Sequence, residues 1–179
     1  MGYMHIANLY RPEAQVILLF KEVYALEKVH GTSAHIGWRS TDGNPQLTYS
    51  AGGESHANFV ALFDDAALRA AFTGIGHPEV IVYGEAYGGK QQGMRHTYGD
   101  KLNFIVFDVK IGETWLAVPD AEDVAKKLGL EFVPYHKVST ELTALDAERD
   151  RSSEVAVRRG ITTPKPREGV VLRPLREFS

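Results

Sequence analysis

A lysine shortly before a His-Gly-Thr-Ser sequence is the part of this chain best suited to covalent chemistry. Lys28 ends an apolar, strand-like run, and Gly31 follows it closely. A lysine amine can attack phosphorus once its pKa falls below the free value of about 10.4. A glycine lets the backbone approach a nucleotide more closely than a residue with a side chain would. Taken alone, the segment fits an ordinary turn after a strand equally well, so its interpretation depends on the rest of the chain.

Three further segments carry residues that could complete a nucleotide site. Glu85 follows Gly84 at the end of an apolar run, where a carboxylate can accept hydrogen bonds from ribose hydroxyls. Phe107 lies in another apolar run and could stack against a base. Glu168 comes directly before Gly169 at the start of a third run. Each feature alone is also typical of a turn or of a core, but their combination favours a nucleotide site.

The composition is that of one folded domain. The chain has 179 residues, which is enough to bury a substantial core, and a net charge of −3. Between residues 158 and 176 six basic side chains stand against one acid, which suits a phosphate backbone or a solvated rim. No apolar run reaches the length of a membrane span. The absence of cysteine excludes disulfides and fits a cytoplasmic location.

Alternation of apolar and polar residues dominates the first half of the chain and predicts strands. The predicted strands cover residues 16–20, 23–28, 34–38, 46–50, 80–85, 103–110, 114–118 and 168–172. The predicted helices cover 58–72, 121–128, 141–149 and 153–158, with Asp120, Ser139 or Thr140 as caps and Gly74 and Gly129 as stops. This order predicts one α+β domain, built on antiparallel sheets with peripheral helices.

In their order along the chain, the four segments resemble the motifs of the covalent nucleotidyltransferases, which include ATP-dependent DNA ligases, RNA ligases and mRNA capping enzymes. The segment Lys28-Val29-His30-Gly31-Thr32-Ser33 resembles motif I in its RNA ligase form, since DNA ligases usually have Asp-Gly in place of His-Gly. The most similar type is RNA ligase 2, which seals nicks in duplex RNA. Gly84-Glu85 resembles motif III, residues 104–108 resemble motif IIIa, and Glu168-Gly169-Val170-Val171 resembles motif IV. The resemblance spans residues 22 to 173.

The resemblance implies an antiparallel-sheet nucleotidyltransferase fold of the ATP-grasp-like ligase kind, with ATP and Mg²⁺ or Mn²⁺ as cofactors. Lys28 would form the covalent lysyl–AMP, and Glu168 would serve catalysis by holding the metal near the α-phosphate. Attack on that anionic phosphate needs a neutral amine and a cation to offset charge. The implied nucleotide-binding residues are Glu27 for adenine, Phe107 stacked on its ring, Glu85 for ribose, and His30, Gly31 and Thr32 on the phosphate side. The implied partners are RNA ends, above all nicks in duplex RNA.

Two departures from the family pattern affect these expectations. The family usually has an arginine after the strand at 46–50, where this chain has Gly52-Gly53-Glu54-Ser55-His56. A later strand with two lysines that grip the triphosphate, motif V, is missing. We therefore expect a single domain over residues 1–179 that is incomplete at its C-terminus, unless Arg173 or Arg176 takes over part of that role. A missing strand would leave a sheet edge unpaired, so self-association is expected.

Two alternatives remain open at this point. One is a DNA ligase or a capping-type nucleotidyltransferase, and the His at position 30 weighs against the DNA ligase. The other is a non-catalytic module that binds nucleotide or RNA. The missing lysines favour this module, whereas an intact Lys28 weighs against it.

Overall fold

The computed structural model describes residues 2–177 and consists of two β-sheets with helices around them. The strands are β1 (Glu22–Lys28), β2 (Thr32–Thr41), β3 (Asn44–Ala51), β4 (Glu79–Tyr87), β5 (Asn103–Ile111), β6 (Thr114–Trp115), β7 (Glu131–Phe132), β8 (Tyr135–Ser139) and β9 (Gly169–Arg173). The α-helices are α1 (His56–Val60), α2 (Asp65–Ile75), α3 (Arg95–Tyr98), α4 (Val118–Lys127), α5 (Leu142–Arg149) and α6 (Glu154–Arg158). Two 3₁₀ helices, Pro12–Leu19 and Gln91–Gly93, complete the description.

The two sheets divide the predicted site residues between them. The small sheet has the order β8-β1-β9 and carries Lys28 at the end of β1, with Glu168 just before β9. The large sheet has the order β3-β2-β4-β5-β6 and carries Glu85 on β4 and Phe107 on β5. These pairs are antiparallel, and β7 adds to β5 in parallel. The predicted α+β class with antiparallel sheets is confirmed.

Most of the core packs against the large sheet. Trp38 of β2 stacks on Phe72 of α2 with ring centroids 5.4 Å apart and planes 6° apart. Phe59 of α1 meets Phe104 of β5 edge-on, at 5.4 Å. These helices bury apolar side chains against one face of the sheet, as an amphipathic pattern requires. None of the helices among residues 2–177 combines the length and the apolar character needed to cross a membrane.

The strand prediction for residues 16–20 is wrong, because residues 16–19 belong to the 3₁₀ helix Pro12–Leu19 and Phe20 is its C-cap residue. Proline fixes φ near the helical value and is favoured in a first helical turn. None of the residues of this helix is buried, and Leu19 is 83% exposed. The apolar residues there do not mark a sheet face.

The single helix predicted over residues 58–72 is in fact two helices, α1 and α2. The side chain of Asp64 accepts a hydrogen bond from the backbone N–H of Ala67 and so caps a new helix start. Helix α2 also continues past Gly74 and ends at Gly76, whose φ of 79° suits glycine. A run of apolar residues at helical spacing concealed this break.

The strand predicted over residues 114–118 covers only Thr114–Trp115, because helix α4 already begins at Val118. Pro119 stands in the first turn of α4, and Ala117 rather than Asp120 is the N-cap residue. Likewise, neither Ser139 nor Thr140 is the N-cap of α5, which is Glu141. Strands β7 and β8 were not predicted, since Pro134 interrupts the alternation between them.

Two glycines allow close approaches that bring the site segments together. A Cβ atom on Gly31 would lie 2.1 Å from the carbonyl oxygen of Ala86. A Cβ atom on Gly84 would lie 2.1 Å from the carbonyl oxygen of Ile105. In both cases the neighbouring atom belongs to the backbone, which cannot move aside at low energetic cost. Glycine is therefore required because a side chain would not fit, and not because of the backbone torsion angles.

We expect Gly31→Ala to destabilise the protein by about 1–3 kcal/mol or more, because its methyl group would overlap the backbone of β4. Gly74→Ala is the matched control, since no atom lies within 4 Å of its Cβ position. That change should stabilise helix α2 by about 0.5–1 kcal/mol. Urea unfolding measures both effects, and equal stabilities for the two variants would contradict this account.

Candidate active site

A cavity of about 430 Å³ is lined by residues of both sheets and brings together Lys28 and three of the six predicted nucleotide-binding residues. Lys28 and Glu27 contribute from β1, Glu85 from β4 and Phe107 from β5. Val171 of β9 lines it from the small sheet. The volume suits a small-molecule ligand.

Lys28 lies at the junction of this cavity with a second one. Its Nζ atom is 3.2 Å from Oε1 of Glu168, and the two side chains are 54% and 29% exposed. A second cavity, of about 580 Å³, runs alongside β9 and is also lined by Lys28 and Glu168. The amine is therefore both oriented by a carboxylate and accessible to ligands.

Glu85 lies behind the turn that follows Lys28. Its Oε1 atom accepts a hydrogen bond from the backbone N–H of Gly31 at 3.2 Å. Burial raises the pKa of Glu85 to about 7, and the negative charge of Glu168 adds to the effect. The Gly31 hydrogen bond and the positive charge of Lys28 act in the opposite direction. Carboxyl groups with a shifted pKa in a cavity are typical of functional sites.

Phe107 points into the cavity at a β-bulge. The pairing of β4 with β5 shifts between Tyr83, opposite Asp108, and Gly84, opposite Val106. Phe107 is thereby left without a partner on β4. Bulges commonly redirect a side chain beside an active site.

Arg173, at the end of β9, joins the two sheets behind the cavity. Its guanidinium lies 3.1 Å from Oδ1 of Asp108 and donates to the carbonyl oxygens of Phe107 and Leu116 at 3.1 and 2.9 Å. It also pairs with Glu177. Arg173 is 6% exposed, so it is committed to these partners and is not available to grip a triphosphate. The expectation that Arg173 replaces the missing lysines is therefore not supported by its geometry.

Glu27 faces helix α6 with both carboxylate oxygens. It accepts hydrogen bonds from the Ser153 hydroxyl at 2.5 Å and from the N–H groups of Glu154 and Val155 at 2.9 and 3.3 Å. Arg167 lies 3.8 Å away. These contacts fix the start of α6 on β1. They leave the predicted contact with adenine without geometric support, although Glu27 lines the cavity.

The three residues predicted on the phosphate side are less close to the cavity than expected. The N–H of His30 donates to the Tyr98 hydroxyl at 3.2 Å, and the Thr32 hydroxyl accepts from the N–H of Gly53 at 2.7 Å. His30, Gly31 and Thr32 do not line the cavity, whereas Ser33 does. Their roles as nucleotide ligands stay predictions, and their observed role is to shape the turn between β1 and β2.

The cavity offers a small set of oxygen ligands for a divalent metal. Among residues 2–177 there is no group of three or more His, Asp or Glu side chains that could hold an ion. Glu168 lies 3.2 Å from Lys28, and Glu85 is near enough for the charges of both to shift its pKa. Mg²⁺ is commonly held by one or two carboxylates together with water and substrate phosphates, so this set fits such an ion.

Comparison with known proteins shows the family of this chain. The family model described as RNA ligase matches residues 21–179. The chain belongs to the RNA ligase family. No similar sequence was found among curated proteins.

Solved structures of Naegleria gruberi RNA ligase share the fold. A mutant with AMP and Mn has 16% sequence identity and a TM-score of 0.67, covering 93% of this chain and 50% of that one. Another mutant with ATP and Mn has 16% identity and a TM-score of 0.63, covering 88% and 47%. The same enzyme with PPi has 16% identity and a TM-score of 0.65, covering 88% and 48%. This chain therefore spans about half the length of the solved relatives it matches.

Sequence analysis missed Ser33 and Tyr3 and gave Arg173 a different role. Ser33 and Arg173 line the cavity beside the predicted residues, and Tyr3 lines it from the N-terminal segment. Residues 2–11 have no regular periodicity, so nothing in the sequence signalled that Tyr3 returns to the sheet. Arg173 was singled out, but for a phosphate contact rather than for joining the sheets.

The raised pKa of Glu85 predicts how stability depends on pH. A carboxyl that binds its proton more tightly when folded contributes stability below its ordinary pKa of 4.5, and this contribution is lost as pH rises toward 7. Glu85→Gln should therefore lose less stability than the parent chain between pH 5 and pH 8. Unfolding by urea at several pH values measures the difference. Glu113→Gln, at a side chain 93% exposed, is the control and should follow the parent curve; a parallel curve for Glu85→Gln would contradict the assignment.

Proposed function

We propose that this chain is the adenylyltransferase domain of an ATP-dependent RNA ligase. The observation that carries the proposal is the position of Lys28, 3.2 Å from Glu168 and at the mouth of a cavity lined by Glu85 and Phe107. The proposed nucleophile, ribose acceptor and aromatic ring thereby surround one space, and the proposed metal carboxylate, Glu168, lies on the adjoining cavity that Lys28 also lines. Membership of the RNA ligase family supports the same activity.

In the proposed reaction, the Lys28 amine attacks the α-phosphorus of ATP. A nitrogen–phosphorus bond forms, the bond to pyrophosphate breaks, and the amine gives up its proton. The AMP then passes to an RNA 5′-phosphate, and attack by a 3′-hydroxyl joins the ends and releases AMP. A bound Mg²⁺ or Mn²⁺ would supply charge neutralisation at the phosphate, with Glu168 as its protein ligand.

The other cavity residues would bind and orient the nucleotide. Phe107 would stack on the base, with Val171 facing the same space from the small sheet. Glu85 would accept hydrogen bonds from the ribose hydroxyls. A charged or hydrogen-bonding ligand beside it would change the protonation state of its carboxyl group. Solved relatives with ATP and Mn or with AMP and Mn support the choice of nucleotide and metal.

The proposed partners are RNA ends, and nicks in duplex RNA are the specific substrate suggested by the RNA ligase 2 resemblance. A cytoplasmic location agrees with the absence of cysteine. The DNA ligase and capping alternatives are disfavoured by the family match. A non-catalytic nucleotide-binding module is the remaining alternative, and the labelling experiment below separates it from the ligase.

Incubation with α-phosphate-labelled ATP and Mn²⁺, followed by denaturing electrophoresis, should label the parent chain covalently but slowly, because the motif V lysines are missing from this sequence and Arg173 is committed to other partners. Lys28→Ala should remove roughly 99% of the label, because among residues 2–177 no other lysine lines the cavity with Glu85 and Phe107. Lys90→Ala, at an exposed lysine after β4, is the control and should be labelled normally. Glu168→Gln should need more Mn²⁺ for the same labelling, since it loses a charged metal ligand.

Three results would contradict the proposal in different ways. Label on another lysine, located by mass spectrometry, would overturn the role of Lys28. Preferential labelling by GTP would favour a capping-type enzyme. ATP binding without covalent label, even with Mn²⁺ and long incubation, would favour a non-catalytic module.

We also infer that two copies of the chain associate through the edge of β9. Strand β9 pairs only with β1 among the described residues, and the 580 Å³ cavity runs along its other edge. Unpaired N–H and C=O groups on an edge strand are a template for another strand. A second copy offers the same edge, so an isologous antiparallel pair is the simplest closed arrangement.

Val170→Lys should convert a concentration-dependent dimer into a monomer, because a lysine on an edge strand discourages strand addition. Val170 lines the cavity beside this edge. The matched control is Val157→Lys, at a position 66% exposed on α6, which should leave the dimer intact. Sedimentation velocity over a range of concentrations measures the mass, and a parent chain that stays monomeric throughout would exclude the association.

A further inference from the structure

The N-terminal segment of residues 3–6, here called the arm, forms one wall of the cavity between the sheets. Tyr3, Met4, His5 and Ile6 all line this cavity. The Tyr3 ring lies edge-on to the Phe107 ring, with centroids 4.8 Å apart and planes 80° apart. The arm therefore contacts the residue proposed to stack on the base.

Tyr3 is the anchor of the arm. Its ring also meets those of Tyr83 and Trp115, with centroid distances of 5.3 and 5.4 Å. Its hydroxyl donates to Oδ2 of Asp108 at 2.6 Å. Burial and the adjacent Asp108 carboxylate raise the pKa of Tyr3, so it stays a donor at any physiological pH. Met4 and Ile6 are 55% and 45% exposed and hold the arm less firmly.

Phe107 needs such a contact because of its place on the bulge. The register shift removes the residue of β4 that would otherwise stand opposite it. Cross-strand neighbours normally restrict an aromatic side chain on a sheet. The edge of the Tyr3 ring supplies this restriction instead, in the geometry that aromatic pairs prefer.

We propose that Tyr3 is a positioning residue for base binding, which fixes the Phe107 ring while the arm closes the base end of the cavity. This inference rests on the proposed function, since it assumes that a nucleotide base occupies that end. Without Tyr3 the Phe107 ring would gain freedom, and water would reach the space that the base fills. The triphosphate end, near Lys28 and Glu168, lies outside the contacts of Tyr3.

Calorimetric titration of two ligands tests this division. One ligand is ATP, and the other is ribose 5′-triphosphate, which has the same sugar and phosphates but no base. Tyr3→Ala should weaken ATP binding by roughly tenfold, as expected from losing an aromatic pair. It should leave ribose 5′-triphosphate binding within about twofold of the parent. Tyr3→Phe keeps the ring and should recover most of the ATP affinity.

Tyr10→Ala is the matched control, because Tyr10 lies shortly after the arm, is 73% exposed and does not line the cavity. It should bind both ligands as the parent does. Melting temperatures of all variants show whether each remains folded at the temperature of the titration.

The outcomes separate this inference from the proposed function. If the parent chain neither binds ATP nor becomes covalently labelled, the proposed function fails and this inference fails with it. If the parent binds ATP and Tyr3→Ala binds it equally well, the inference alone is overturned. An equal loss of affinity for both ligands would assign Tyr3 a purely structural role. Tighter ATP binding by Tyr3→Ala would show that the arm blocks the cavity instead of helping to bind the base. Either result overturns the proposal.

Discussion

The site depends on one buried ion pair, between Arg173 at the end of β9 and Asp108 on β5, 3.1 Å apart. Lys28 and Glu168 belong to the small sheet, whereas Glu85 and Phe107 belong to the large one. The pair is the charged contact that spans the two sheets behind the cavity. Removing one partner of a buried pair typically costs about 3–5 kcal/mol, because the other charge is left uncompensated. The separation of Lys28 and Phe107, which lie on different sheets, therefore depends on this contact.

The same pair organises its neighbours through additional hydrogen bonds. Arg173 holds the carbonyl oxygen of Phe107, and Asp108 receives the hydroxyl of Tyr3. Arg173 thus fixes the backbone of Phe107, and Tyr3 contacts its ring. Buried polar groups stabilise a structure only when their hydrogen-bonding capacity is satisfied, and this cluster uses the ends of three segments to satisfy it. Phe107 is therefore held by charge pairing and hydrogen bonds as well as by apolar packing.

The sequence predicted most of the long strands and the segments that carry Lys28, Glu85 and Phe107, which line one cavity, and its errors have physical causes. Strands with clear alternation, such as those carrying Glu85 and Phe107, lie where they were expected, as do the motif residues on them. Local capping competes with apolar periodicity, so Asp64 divides a predicted helix. The bulge at Phe107 and the return of Tyr3 to the sheet arise from contacts between distant residues. Such contacts leave no periodic pattern in one sequence.

The acidic side chains around the cavity differ in the donors and positive charges that stabilise them, and this difference bears on function. Glu27 has the donors of α6, Asp108 has Arg173, and Glu168 has Lys28. Glu85 has the single backbone N–H of Gly31 as its hydrogen-bond donor among the described residues, and its pKa is correspondingly raised by burial. A ligand that brings hydroxyl donors or a metal ion to this carboxylate would stabilise its charged form. If a nucleotide binds as proposed, Glu85 would gain most from it, because binding would supply the partners that folding does not.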